Sequence, residues 1–101
     1  MTSSPAETHL TAVLHKLAGP HAIPRSDQLD AVSAILQPVA RVLVVQATGW
    51  GKSAVYWAAT TALRHDGRGT TLVISPLLAL MRDQVAAAEK AGLTAASINS
   101  T

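Results

Sequence analysis

Gly49, Gly51, Lys52 and Ser53 stand together in the run Gln46-Ala47-Thr48-Gly49-Trp50-Gly51-Lys52-Ser53. These residue types at this spacing suit the binding of a phosphate chain. Glycines let backbone N–H groups curl around an anion with no Cβ in the way. A helix opening at Lys52 adds unpaired N–H groups and the positive end of its dipole. Lys52 offers a mobile cation for the outer phosphates, and Ser53 offers a hydroxyl to Mg²⁺. The general pattern places a further glycine five residues before Gly51, where this chain has Gln46.

Such a loop needs a strand before it and a helix after it. Residues 41–46 form a β-branched apolar run, and 52–65 carry an alanine-rich helical pattern. The near-continuous apolar run predicts a strand buried on both faces, as in a parallel sheet. Asp66-Gly67-Arg68-Gly69 predicts a turn, and 70–75 a second strand. Residues 77–91 predict a helix stopped by Gly92, and 94–99 are weakly strand-like. Upstream, Ser4-Pro5-Ala6-Glu7 is a capping pattern with proline in the first helical position. Leu10, Val13, Leu14 and Leu17 follow at helical spacing, and Gly19-Pro20 ends that helix near Ala18. A second helix starts with Ser26 or Asp27 as its cap, buries Leu29, Val32, Ile35 and Leu36, and ends at Pro38. The order is two helices followed by strand, helix, strand, helix and strand. It predicts an α/β fold, a parallel sheet flanked by helices and preceded by two N-terminal helices.

A second group stands where the second strand ends: Ser75-Pro76-Leu77-Leu78-Ala79-Leu80-Met81-Arg82-Asp83-Gln84-Val85. Ligands of open parallel sheets bind beyond the carboxyl ends of strands, so this segment and the glycine loop face one side. A hydroxyl, helix N–H groups and the later Arg82, Asp83 and Gln84 suit contacts to a phosphodiester backbone. A helix cap followed by a solvated turn is the simpler reading of the same residues, and both stay open on the residues alone.

The bulk composition excludes several classes. The chain has 101 residues, no cysteine and no phenylalanine, is 49% hydrophobic and 14% charged, and carries a formal net charge of +2. Disulfides and thiolate metal sites are therefore excluded. The charge is too small to argue for nucleic acid by itself. No stretch reaches the ~18 apolar residues of a membrane helix, and the N-terminus lacks the basic start and apolar stretch of a signal peptide. A cytoplasmic protein without a membrane partner is the expectation. His9, His15 and His21 do not stack on one helical face and have no neighbouring ligand pattern, so the sequence points to no metal site there. His65 falls near a helix C-terminus, where its partial charge is favourable.

Taken together, Arg25-x-x-Gln28, the run from Ala47 to Ser53, the run from Ser75 to Val85 and Ile98-Asn99-Ser100-Thr101 resemble the start of a RecQ-type ATP-dependent DNA helicase. That is a branch of superfamily 2, related to the DEAD/DEAH-box proteins. The likeness covers 25–101. It implies a partial, truncated RecA-like phosphate-loop NTPase lobe over 25–101, with 1–24 as an N-terminal helix and loop. It implies ATP and Mg²⁺ as cofactors. Arg25 and Gln28 would lie at the adenine. Thr48, Gly49, Trp50, Gly51, Lys52 and Ser53 would hold the nucleotide, with Lys52 catalytic and Ser53 on Mg²⁺. Ser75, Pro76, Leu77, Arg82, Gln84 and Asn99 would touch single-stranded DNA. Helicases of this type hydrolyse ATP to move 3′ to 5′ and separate a duplex.

The chain departs from the family where Pro24 precedes Arg25 and Pro20-His21 follow Gly19, positions at which family members usually carry aromatic residues. The family's Asp-Glu-x-His motif and second lobe would follow Thr101, so a fragment or a truncated product is expected, with that downstream lobe as a partner. Two other classes fit the loop: a non-catalytic nucleotide- or DNA-binding module, and a small-molecule kinase. The kinase leaves Ser75–Val85 without a purpose.

Overall fold

The computed structural model describes residues 4–46, 51–74 and 78–97. Four helices stand among them: α1 (Pro5–Ala18), α2 (Ser26–Ile35), α3 (Lys52–His65) and α4 (Leu78–Lys90).

The first helix starts and stops where the sequence predicts. Ser4 is extended at the N-cap, and its Oγ accepts from the Glu7 N–H at 3.2 Å. Pro5 takes the position whose N–H would have no helical partner. Leu10, Val13 and Leu14 are buried along one face. Ser4→Ala should lower stability by about 1 kcal/mol, the usual worth of such a cap. A urea titration checks this as a lower midpoint at unchanged slope.

The second helix begins one residue sooner than the alternatives the sequence left open. Arg25 is its N-cap. The reason is Gln28, whose Oε1 accepts from the Arg25 backbone N–H at 2.9 Å. A side chain at the third helical position that reaches back in this way is half of a capping box. Leu36 follows as the C-cap, ahead of Pro38.

Both later helices close with paired backbone bonds. The Gly67 N–H donates to the Arg64 carbonyl at 3.0 Å and the Arg68 N–H to that of Leu63 at 2.9 Å. After α4, the Gly92 and Leu93 N–H groups reach the Glu89 and Ala88 carbonyls, each at 3.0 Å. Gly92 has φ +92°, a left-handed backbone that glycine adopts without a Cβ clash. Lys16 Nζ donates to the Ala91 carbonyl at 3.4 Å, placing a cation at the negative end of α4.

One apolar cluster joins all four helices. It takes Leu10, Val13 and Leu14 from α1, Ala31 and Val32 from α2, Ala54, Val55, Trp57 and Ala58 from α3, and Ala88 from α4. Alanine on α3 lets its neighbours approach closely, and Trp57 supplies bulk that the chain's missing phenylalanines do not.

The expected parallel sheet is the main difference. No strand pairing occurs among the described residues; 41–46, 70–74 and 93–97 carry no ladder. Exposure alternates along two of these segments. Leu43 and Val45 are 88% and 80% exposed while Val44 packs on the helical cluster. Leu72 and Ile74 are 82% and 85% exposed and Val73 only 39%. Each segment thus has one face toward the protein and one away, whereas for 41–46 the apolar run predicts burial on both. The physical reason is that a strand's hydrogen bonds come only from neighbours about 4.8 Å away, and none lies there among these residues. A seam of about 470 Å³ instead lies between α3, α4 and the segments at 70–73 and 93–97.

Candidate nucleotide-binding site

The start of α3 differs from that of α1. Its N-cap, Gly51, lies at φ +92° and ψ +39°, and no side chain caps it. Backbone N–H groups of the first turn have no partner within a helix, so this end is suited to an anion. Lys52 is exposed at the first helical position, and Ser53, half-buried, is at the second. A flexible cation and a hydroxyl therefore stand beside the same N–H groups. A triphosphate fits this donor set. Mg²⁺ would arrive on the phosphates, since it favours oxygen ligands and keeps much of its water. Ser53 would be its protein ligand. Among the described residues no group of three or more His, Cys, Asp or Glu forms a metal cluster of its own.

Gln28 reaches the same place from α2. It is 3% exposed, and its Nε2 donates to the Gly51 carbonyl at 3.4 Å. The amide thus holds the N-cap of its own helix with one end and touches the N-cap of α3 with the other. Arg25 is exposed beside it. The structure brings together four sequence-predicted residues, Gln28, Gly51, Lys52 and Ser53, with Arg25 at the edge. Thr48, Gly49 and Trp50 lie outside the described residues.

Of the second predicted group, Ser75, Pro76, Leu77 and Asn99 also lie outside the described residues. Arg82 is exposed on α4. Gln84 is half-buried and hydrogen-bonded to Tyr56 of α3. Burial pushes the Tyr56 hydroxyl above its ordinary pKa, and the Gln84 bond partly offsets that, so the phenol stays neutral at physiological pH. Tyr56 and Trp57 meet edge to face at 4.7 Å, which is packing geometry. The indole Nε1 of Trp57 is buried with no hydrogen-bond partner among the described residues, at the wall of the seam. Sequence reasoning missed the Gln84–Tyr56 link, because nothing in either segment's own pattern points to the other.

A glycine-capped helix start that presents Lys-Ser beside a buried glutamine is suited to an anion. Comparison with known proteins narrows the class. Residues 25–101 match the DEAD/DEAH box helicase family, and the chain belongs to that family. It is 46% identical over 77 residues to the ATP-dependent DNA helicase RecQ of Bacillus subtilis, covering 76% of this chain and 12% of that protein. The ATP-dependent helicase SGS1 of Saccharomyces cerevisiae is 41% identical over 86 residues, covering 83% of this chain and 6% of that protein. The ATP-dependent DNA helicase RecQ of Haemophilus influenzae is 44% identical over 77 residues, covering 76% and 12%. The chain thus spans about an eighth or less of the length of these relatives. No solved structure matches it. The family match points to a RecA-like fold. No helix among the described residues is long and apolar enough to cross a membrane.

Proposed function

We propose that this chain is the ATP-binding and DNA-touching portion of a RecQ-type ATP-dependent DNA helicase, in which hydrolysis drives 3′-to-5′ unwinding. The likeness to relatives named ATP-dependent DNA helicases supports the reading. The observation that carries it is the Gln28 Nε2 bond to the Gly51 carbonyl. It sets the glutamine that the family likeness assigns to the adenine against the start of α3.

In this reading the N–H groups at the start of α3, with Gly49 and Gly51, cradle the phosphates, and Lys52 neutralises the outer ones. Ser53 orients Mg²⁺, which lowers the charge repulsion on the transferring phosphate. Thr48 and Trp50 hold the nucleotide within the loop, and the family likeness sets Gln28 and Arg25 at the adenine. Ser75, Pro76, Leu77, Arg82, Gln84 and Asn99 lie along single-stranded DNA. Residues 25–101 form part of the first RecA-like lobe, and 1–24 an appended helix and loop. Segments 41–46 and 70–75 join a parallel sheet in that lobe, and the alternating exposure of Leu43, Val44 and Val45 suits a strand awaiting a neighbour. Positioning of the attacking water and stabilisation of the developing charge would need the Asp-Glu-x-His motif and the second lobe that the family likeness implies.

Titrating the chain with ATP, GTP and a single-stranded oligonucleotide tests this. ATP should bind more tightly than GTP, because the family likeness sets Gln28 and Arg25 at the adenine. Oligonucleotide affinity should fall steadily as salt rises, since phosphate contacts release counterions. Equal affinity for the two nucleotides, or DNA binding insensitive to salt, would refute the respective half.

A further inference from the structure

We propose that His9 and His65 form a divalent transition-metal site, of the zinc, nickel or copper(II) class, that ties α1 to the end of α3. The two residues are far apart in sequence, yet their ring centroids lie 5.5 Å apart, tilted by 54° rather than stacked. Metal–nitrogen bonds of about 2.0–2.1 Å bring two coordinating imidazoles to roughly this separation.

Three features of the surroundings favour a cation here. The rings share a pocket of about 280 Å³ with Asp66, whose carboxylate adds negative charge. His65 is the last residue of α3, where the helix presents its carbonyl end. His9 is half-exposed and His65 exposed, so water can complete the coordination. The described residues hold no cluster of three or more ligating side chains, so the protein supplies two nitrogens and Asp66 acts through its charge. Imidazole pairs of this kind suit borderline metals. Mg²⁺ prefers oxygen and belongs with the phosphates at the opposite end of α3, about 20 Å away by the helical rise. An ion at His9 and His65 would fasten a helix outside the matched residues 25–101 to α3, the helix that starts at Lys52. Because the folded chain alone brings the rings together, the ion stabilises that state.

The test uses the untagged chain with Zn²⁺, measured by competition against a chromophoric zinc indicator. One ion should bind per chain, and excess Mg²⁺ should not displace it. H9A and H65A should each weaken binding by about tenfold or more, at least the loss seen when a metal site's outer partners are removed. H15A removes an exposed imidazole on the same α1 helix and should change nothing. Zn²⁺ should also raise the thermal midpoint of the native chain and of H15A but not of H9A. Equal weakening by H15A and H9A would mean coordination by unstructured chain and would overturn the site, as would unaltered affinity in H9A and H65A.

Discussion

Lys52→Ala weakens ATP binding by about tenfold or more while leaving the fold intact. The expectation follows from where the side chain stands. Lys52 is exposed at the first position of α3 and has no part in the apolar cluster. Truncation therefore removes a cation without opening a cavity. A hydrogen bond to a charged group is worth about 1.5–3 kcal/mol, and each 1.4 kcal/mol is about tenfold in affinity. The loss should fall mainly on the outer phosphates, so the mutant should lose more affinity for ATP than for AMP. Nucleotide titrations of the two proteins, beside matched urea curves, measure both halves. Identical ATP isotherms would mean that the helix start holds no triphosphate. An equal loss for AMP would move the lysine away from the outer phosphates.

The helices were legible in the sequence because their signals are local. Ser4, Pro5 and Glu7 fix the start of α1 within one turn, and Gly92 fixes the end of α4. Among the described residues no sheet forms from 41–46 and 70–74, because strand pairing is a property of neighbours. Apolar residues such as Leu43 and Leu72 announce a strand but cannot supply one beside it, and both remain exposed. The site divides in the same way. Gly51, Lys52 and Ser53 were readable from spacing, since one turn holds them. Gln28 was singled out by family likeness, yet its bond to Gly51 spans 23 positions and no local pattern encodes it. The α2 start shifted to Arg25 for a related reason, because the Gln28 amide accepts from that N–H as well as donating to Gly51. The His9–His65 pair is another case. Sequence reasoning compared His9 with His15 and His21 on nearby positions, whereas the neighbour that matters comes from another helix.

That dual use of the Gln28 amide makes Gly51→Ala the most damaging single methyl at the site. Two effects combine. At φ +92° a side chain is strained whatever space surrounds it, at about 1–2 kcal/mol for a left-handed backbone. A Cβ built there would also lie 2.5 Å from Gln28 Nε2, far inside contact distance. A flexible amide on the surface would swing aside at little cost. This one is buried, and its Oε1 accepts from the Arg25 N–H. Withdrawing it breaks the bond to the Gly51 carbonyl and loosens the cap of α2, at about 1 kcal/mol for each hydrogen bond. Destabilisation of about 2–4 kcal/mol is therefore expected, a large share of what a domain this small holds. ATP affinity should fall with it. A double-mutant cycle separates the two effects. In a Gln28→Ala background the clash is absent, so Gly51→Ala should cost only the backbone strain. If the two substitutions are additive in urea melts, the amide and the glycine are uncoupled, and the link between α2 and α3 has no energetic weight.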